Sequence, residues 1–234
     1  MVVKAILLIK IKNNIMKKVL VFTFVLMVLP LMTLAQEEGS VIKTEKEFSN
    51  WQVRLRGLIV APNESATIEA IGGDVSISAT FIPEVDFTYF FTKNIAAELI
   101  LGTSKHNVNA IKTSVGDIDL GSVWLLPPTL TAQYHFTGNK LKPYLGAGVN
   151  YTVFYNAKEG TVADDVSYKN SIGFAFQVGF DLDINDNWFI NIDAKKILLN
   201  TEATVNATTA LGATVKADVD INPLVFGVGV GRRF

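Results

Sequence analysis

Cysteine is absent from the 234 residues of this chain, and histidine occurs only twice. Without cysteine, neither a disulfide framework nor a thiolate metal site can form. Two histidines alone make a metal site weak, so we expect neither a metal nor another cofactor. A net charge of -1 gives no basic surface of the kind that binds phosphate backbones, so we expect no nucleic-acid partner.

A second absence is an apolar run beyond residue 35 that could cross a bilayer as a helix. The positive mean hydropathy of +0.31 is inflated by the first 35 residues. There, the run from Val19 to Ala35 follows Lys17 and Lys18, with small residues at Thr33 and Ala35. A basic segment, an apolar segment and small residues before a cleavage point are typical of secretion signals. Residues 1–35 are therefore predicted to be a signal peptide.

The start of that signal and the segment after it complete the N-terminal prediction. Met16 stands where such a signal would begin, so residues 1–15 are interpreted as an upstream mis-start. A transmembrane anchor is the alternative, but the run is short and carries Pro30 near its end. Residues 36–49 are charged and lack periodicity, which predicts a short periplasmic leader. If the mature chain lies in a membrane, it must be a closed barrel, because only helices and barrels satisfy every backbone group there.

Apolar residues alternate with small or polar ones from Asn50 onward, and the stretch from Leu126 to Tyr155 shows this best. Leu130 and Ala132 fall on one face and Thr131 on the other, which indicates a strand. After a turn at residues 137–140, the second half repeats the pattern. Strands of about ten residues, with aromatic ends and a glycine-lined opposite face, fit a barrel in lipid better than a soluble sandwich.

Eight such strands are predicted, and the connections between them alternate between long and short. The tight turns are residues 92–94, 137–140 and 183–187, and the longer loops are residues 63–80, 103–121, 156–166 and 200–218. Outer-membrane barrels require this alternation, whereas a sandwich does not sort its loops this way. Residues 50–234 are therefore predicted to form an all-β, eight-stranded antiparallel up-and-down transmembrane β-barrel. It would be integral to the outer membrane of a Gram-negative bacterium, in contact with lipid and lipopolysaccharide.

Assigning alternate residues of the successive up and down strands to the lumen predicts two zones inside the barrel. In the periplasmic half the inward positions carry charges of both signs, which would be costly in lipid but can pair inside a narrow barrel. We expect a polar lumen plug of Arg54, Arg56, Glu84, Asp86, Glu98, His135, Asp181, Asp193 and Lys195, with Gln52 and Gln133 beside it. The outer half gives an apolar lining, predicted to bind ligand, of Leu58, Val60, Ile82, Ile100, Leu125, Phe154, Ile197 and Leu199, together with Val123.

Prolines near the external strand ends suggest how a solute would leave such a lumen. Pro62, Pro83 and the pair Pro127 and Pro128 each remove a donor from the hydrogen-bond ladder. We hypothesise a sideways exit into the bilayer, because fixed charges block the way below. The alternatives are that the prolines only end strands, and that the apolar rim only packs beneath folded loops.

Several segments of the mature chain resemble the outer-membrane protein W (OmpW) family. The segments are Trp51 to Arg54, Asn94 to Leu99, Leu126 to Thr129, Gln133 to Phe136, Lys142 to Thr152, Asp193 to Lys196, and the final Phe234. The resemblance implies an eight-stranded outer-membrane barrel that passes or binds small hydrophobic molecules. It also implies that Phe234 is the signal recognised by the outer-membrane assembly machinery.

Enzymatic barrels of this size exist, so catalysis is a further alternative for this fold. A serine hydrolase needs a base beside its nucleophile, and neither His106 nor His135 is followed two residues later by serine, as in outer-membrane deacylases. We therefore expect no enzyme, with His106 in or near a loop and His135 hydrogen-bonded within the plug. The predicted function is binding and passive passage of small hydrophobic molecules or detergents. The alternative is a structural or surface-interaction barrel, with an inert interior and external loops that bind a host, phage or partner.

Overall fold

The computed structural model describes residues 50–68 and 71–234, apart from the side chain of Leu211. The predicted signal peptide and leader, residues 1–49, lie outside the described residues and remain predictions. The described part is built almost entirely of β-strands, with one helix of a single turn, α1 (Thr208–Leu211). No helix within it is long and apolar enough to span a bilayer.

Fifteen strands occur in the described residues. In chain order they are β1 (Trp51–Ala61), β2 (Ser65–Ile68), β3 (Asp74–Ile77), β4 (Thr80–Phe90), β5 (Ile95–Gly102), β6 (Ser104–Thr113), β7 (Gly116–Leu126), β8 (Thr129–His135), β9 (Leu141–Lys158), β10 (Asp165–Tyr168), β11 (Ser171–Asp183), β12 (Trp188–Leu198), β13 (Asn200–Ala207), β14 (Ala213–Asp220) and β15 (Leu224–Arg233).

Eight of these strands close the barrel: β1, β4, β5, β8, β9, β11, β12 and β15. Each pairs antiparallel with the next in chain order, and β15 returns to β1 through register pairs from Gln52 with Arg233 to Ala61 with Leu224. The predicted eight-stranded antiparallel barrel is therefore confirmed. The tight turns after β4, β8 and β11 lie at one end, which faces the periplasm in barrels of this class.

Alternation along each strand sorts the side chains between two environments. On β1, Trp51, Leu55 and Ile59 are more than half exposed on the outer face, whereas Arg54 and Arg56 point inward and are buried. Large apolar side chains cover the outside of the other barrel strands in the same way. Near the periplasmic end aromatic rings meet edge to face, as with Trp51 and Tyr89, whose centroids are 4.9 Å apart. An apolar outer band with aromatic borders matches a lipid environment.

The long connections differ from the prediction, because most of their residues are strands rather than loops. Strand β7 pairs with the outer end of β9, and β6 and β3 follow β7 in the same sheet. Strands β10, β13, β14 and β2 form a separate four-stranded sheet. The expectation of loops was thus wrong for most of residues 103–121 and 200–218, and for part of residues 63–80 and 156–166. These segments read as loops because polar residues are abundant on their outer faces. Their inner faces carry buried apolar residues, such as Val108 and Ala110 on β6.

Candidate functional site

Arg54 lies at the centre of the periplasmic half of the lumen and is fully buried. Its Nη1 is 2.8 Å from Glu98 Oε1, and its Nε is 3.6 Å from Asp86 Oδ1. The same guanidinium donates to the Tyr144 hydroxyl at 3.3 Å and lies 5.1 Å from the centroid of that ring. Two carboxylates and an aromatic face therefore hold one buried cation.

Arg56, one inward position higher on β1, joins the remaining acids. Its Nη2 is 2.7 Å from Glu84 Oε1 and 2.8 Å from Asp86 Oδ2, and its Nη1 is 3.5 Å from Asp193 Oδ1. Lys195 closes the cluster, with its Nζ 2.9 Å from Asp193 Oδ1 and 3.2 Å from Glu84 Oε1. Buried charges are tolerated only when they are compensated, and ion pairs supply the compensation here: both Asp86 oxygens and Asp193 Oδ1 are held by ion-pair contacts without a hydrogen bond.

The floor of the lumen is aromatic as well as polar. Tyr144 donates from its hydroxyl to Asp193 Oδ2 at 2.8 Å and stacks on His135, with ring centroids 4.8 Å apart. Phe189 is also fully buried, and the Arg233 guanidinium lies 4.2 Å from the centroid of its ring. Gly231 makes room for that ring, because a Cβ at this position would collide with it. The plug thus fills the barrel at this level.

All nine residues predicted for the plug lie in this cluster, and all are buried. His135 takes part by stacking and by a 2.9 Å contact between its Nε2 and Gln133 Oε1, and Asp181 is reached by Gln52 and Arg233. Sequence reasoning did not include Tyr144, Phe189, Gln177 and Asn191 in the plug. Their inward parity was visible, and glycines opposite two of them, Gly179 facing Tyr144 and Gly231 facing Phe189, were the further signal.

Above the plug lies an apolar cavity of about 120 Å³. All eight residues predicted for the apolar lining border it, with Glu84 and Lys195 at its floor. Leu58 and Ile82 pack with Val225, whereas Leu125, Ile197 and Leu199 belong to a larger cluster that continues upward. Phe154 packs against that cluster and stacks on Tyr168 at a centroid distance of 5.6 Å, and burial raises the pKa of the Tyr168 phenol to about 12.

The strands above the membrane lengthen this cavity well beyond the predicted lining. Ile68, Ala110, Ile118 and Val215 form an upper cluster between the four-stranded sheet and the β3–β6–β7 wall, and all four border the cavity. Sequence reasoning missed these residues because it treated their segments as loops. The signal was the same period of two, with an apolar residue at every second position from Ala213 to Val219 of β14 and at Val108 and Ala110 of β6.

The sequence profile of the OmpW family matches residues 49–234. The chain belongs to the OmpW family. An uncharacterised outer-membrane protein of Sinorhizobium fredii is 47% identical over 80% of this chain and 80% of its own length. The dibenzothiophene metabolism operon protein PahQ of Pseudomonas aeruginosa is 29% identical over 82% of this chain and 92% of its own. The crystal structure of OprG from Pseudomonas aeruginosa superposes with a TM-score of 0.74 at 28% identity, covering 80% of this chain and 96% of that one.

Membership in the OmpW family places the chain in the bacterial outer membrane, as an integral barrel surrounded by lipid and lipopolysaccharide. The exposed apolar band on the eight barrel strands is the surface that contacts lipid. Within the described part of this OmpW-family barrel, no three or more His, Cys, Asp or Glu side chains are arranged so that they could hold a metal ion.

The wall of the barrel is interrupted on both sides of the outer end of β5. The β5–β8 ladder ends at Ile100 with Thr129, and the β6–β7 ladder begins at Ser104 with Leu125, which leaves residues 101–103 facing residues 126–128 without register pairs. On the other side, the β4–β5 ladder ends at Glu84 with Gly102, immediately beyond Pro83. Residues 101–103 thus lack ladder partners on the β8 side, and on the β4 side the pairing stops one residue before Thr103.

His106 lies beside this interruption, and the expectation that it sits in or near a loop was wrong. It is in strand β6, points inward and is 3% exposed. Its Nδ1 lies 2.7 Å from the Ser78 carbonyl oxygen, and its Nε2 lies 3.0 Å from Ser104 Oγ. Burial lowers the pKa of this imidazole below its usual value, despite the hydrogen bond to Ser78.

The contact between Ser104 and His106 was missed because a serine was sought two residues after a histidine, and here it comes two residues before. On a strand, either spacing puts the two side chains on the same face. Both residues border the apolar cavity.

Proposed function

We propose that this protein binds small apolar molecules in the cavity above its plug and lets them cross the outer membrane passively. The observation that supports the proposal is the division of the lumen, with an apolar cavity in the outer half and a cluster of buried, paired charges in the periplasmic half. Transfer of an apolar solute from water into the upper space lowers its free energy. The same solute has no favourable site among the paired charges beneath.

The cavity sets the size of the solute. Its volume of about 120 Å³ is close to that of apolar protein cavities on the order of 150 Å³, which stay dry and bind benzene. A single aromatic ring or a short alkyl chain therefore fits without rearrangement of the wall. Larger molecules would need the upper strands to separate.

A sideways exit completes the proposed route. The plug closes the straight path to the periplasm, whereas residues 101–103 lie beside the cavity and lack ladder partners on the β8 side, and Thr103 also lacks one on the β4 side. Pro83 on one side and Pro127 with Pro128 on the other cannot donate the hydrogen bonds that would close these gaps. A solute that passes between the strands here enters the hydrocarbon of the bilayer.

The name of a relative is consistent with this class of solute. PahQ is named for an operon of dibenzothiophene metabolism, and dibenzothiophene is apolar and aromatic. That relation supports uptake of hydrophobic compounds as the general role for the present chain. The proposal includes no catalytic step and no cofactor.

The C-terminus supports a proposed partner. Phe234 is 60% exposed, its backbone N–H donates to the Trp51 carbonyl oxygen at 3.0 Å, and the Arg232 guanidinium lies 4.9 Å from its ring centroid. An exposed aromatic residue at the end of the closing strand suits recognition by the outer-membrane assembly machinery before the barrel closes.

Binding can be tested with fluorobenzene, followed by ¹⁹F NMR in lipid nanodiscs that contain the protein. Empty nanodiscs measure partitioning into lipid. Leu125→Asp and Phe154→Asp place a charge on the cavity wall, and both should abolish the bound signal while circular dichroism shows an intact barrel. The matched control is Val115→Asp, which adds the same charge at an exposed turn between β6 and β7 that does not border the cavity.

The proposed function is wrong if the wild-type protein gives no signal beyond that of empty nanodiscs. It is equally wrong if both cavity variants bind as well as the wild type. Loss of binding in the Val115 variant as well would show that added charge, rather than the cavity, controls the signal, which also contradicts the proposal.

A further inference from the structure

The cavity wall is apolar except for a few polar groups, and one pair of them is built in an unusual way. Ser104 and His106 are 4% and 3% exposed, neighbour each other on β6, and both face the cavity. They lie where the ladder between β4 and β5 has ended, beside residues 101–103, which lack ladder partners on the β8 side. A polar pair at this point meets any solute that enters the cavity or leaves it sideways.

The positions of the hydrogens in this pair follow from its partners. The Ser78 carbonyl oxygen can only accept, so His106 Nδ1, 2.7 Å away, must carry a proton and donate it. In a neutral imidazole the other nitrogen then has a free lone pair. Ser104, with its Oγ 3.0 Å from His106 Nε2, must therefore donate its hydroxyl proton to the ring.

This assignment leaves Ser104 with acceptor capacity only. Its one proton is used, and the two lone pairs of its oxygen remain for a solute. Donation to the imidazole also polarises the hydroxyl and makes its oxygen a better acceptor. Burial, which keeps the imidazole neutral by lowering its pKa, maintains this state.

We infer that Ser104, oriented by His106 and Ser78, is an acceptor site that selects apolar solutes carrying a hydroxyl group. The inference rests on the proposed function, because it names the solute class of the same cavity. An aliphatic alcohol places its chain against the apolar wall and donates its proton to Ser104 Oγ. An ether or an alkane of the same size has no proton to donate, so it covers the lone pairs of Ser104 Oγ without forming a hydrogen bond to them, which is less favourable.

The experiment measures competition with fluorobenzene in the nanodisc assay for three molecules of similar size: hexan-1-ol, pentyl methyl ether and heptane. After correction for partitioning into empty nanodiscs, hexan-1-ol should have a Kd about two- to tenfold lower than the ether, the range expected for one neutral hydrogen bond. Ser104→Ala should remove this ratio, because no oxygen at this position then distinguishes the alcohol from the ether.

Two further variants make the test specific. Thr152→Val removes another hydroxyl that borders the cavity, donating to Asn150 Oδ1 at 2.6 Å, and it should keep the preference for the alcohol. Ser104→Cys keeps the side-chain size with a weaker acceptor and should give an intermediate ratio. If the alanine variant fails to fold, the ratio measured with the cysteine variant tests the assignment to Ser104 instead.

The outcomes separate the two proposals. If fluorobenzene binds but the alcohol and the ether compete equally, the acceptor site is wrong and the proposed function stands. If Ser104→Ala keeps the alcohol preference, or Thr152→Val removes it, the assignment to Ser104 is likewise overturned. If none of the probes binds the wild-type protein, the proposed function fails and the inference fails with it.

Discussion

The lower and upper halves of the lumen are built on the same strands and the same inward register, yet the lower half holds paired charges and the upper half surrounds a cavity. In the lower half each buried charge is held by a partner at a defined distance, as Arg56 is by Glu84 at 2.7 Å. In the upper half the contacts are between methyl and methylene groups, around a space of about 120 Å³. Polar groups demand partners, whereas an apolar wall can border an empty volume.

This difference teaches where the protein can accommodate a guest. A void in the plug would leave charges unpaired or admit water, so its packing has to be complete. A void among apolar side chains costs only part of their dispersion contacts, and a guest restores those contacts. Binding capacity therefore belongs to the upper half, and the plug supplies a closed floor.

The largest effect is expected when the plug loses a charge. Arg56→Ala leaves Glu84, Asp86 and Asp193 without one of their cations, and breaking a buried ion pair costs about 3–5 kcal/mol. Denaturant unfolding in bilayers should show this loss. Lys93→Ala, at an exposed turn, is the control and should change the free energy of unfolding by less than about 0.5 kcal/mol. A cost for Arg56→Ala within that small range would contradict a tightly paired plug.

Enlarging one small side chain in each half sharpens the comparison between them. Gly231→Ala puts a Cβ into the ring of Phe189, and overpacking of this kind costs about 1–3 kcal/mol. Ala110→Val enlarges a side chain that borders the cavity, so it should cost less than about 1 kcal/mol while weakening fluorobenzene binding. Unfolding and the nanodisc assay measure the two quantities. Equal costs at both sites would mean that the upper half is packed as tightly as the plug.

The sequence predicted the barrel well because alternation carries most of its information. Arg54 and Asp193 occur at inward positions of strands whose other faces are apolar, and the structure places them in the lumen as that parity requires. The upper strands were not predicted, because their outer faces meet water and the contrast between faces is weak. The contact of Ser78 with His106 could not be predicted at all, because it joins the segment before β4 to β6 across the wall.

Restoring donors at the wall should slow exchange without changing affinity. Successive N–H groups of a strand point to opposite neighbours, so one of the pair Pro127 and Pro128 faces β5. Replacing both with alanine supplies that donor opposite residues 101–103. Exchange of fluorobenzene, measured by ¹⁹F line shapes, should slow by about two- to tenfold, as expected for one added hydrogen bond. Pro223→Ala, which also borders the cavity, is the control, and similar slowing in it would contradict a specific exit.

The smallest effect should appear on acidification, at His106 in the upper half. His106 is contacted by the neutral groups of Ser78 and Ser104, so its imidazolium would be buried without the counter-charge that Arg56 has in the plug. Burial lowers its folded pKa, so below pH 6.5 the unfolded chain binds the proton first and stability falls as the pH decreases. Between pH 6.5 and 5.5 this group contributes at most about 1.4 kcal/mol of loss. Unfolding free energies across this range should fall less steeply in His106→Gln than in the wild type, and identical slopes would show that His106 is not buried uncharged.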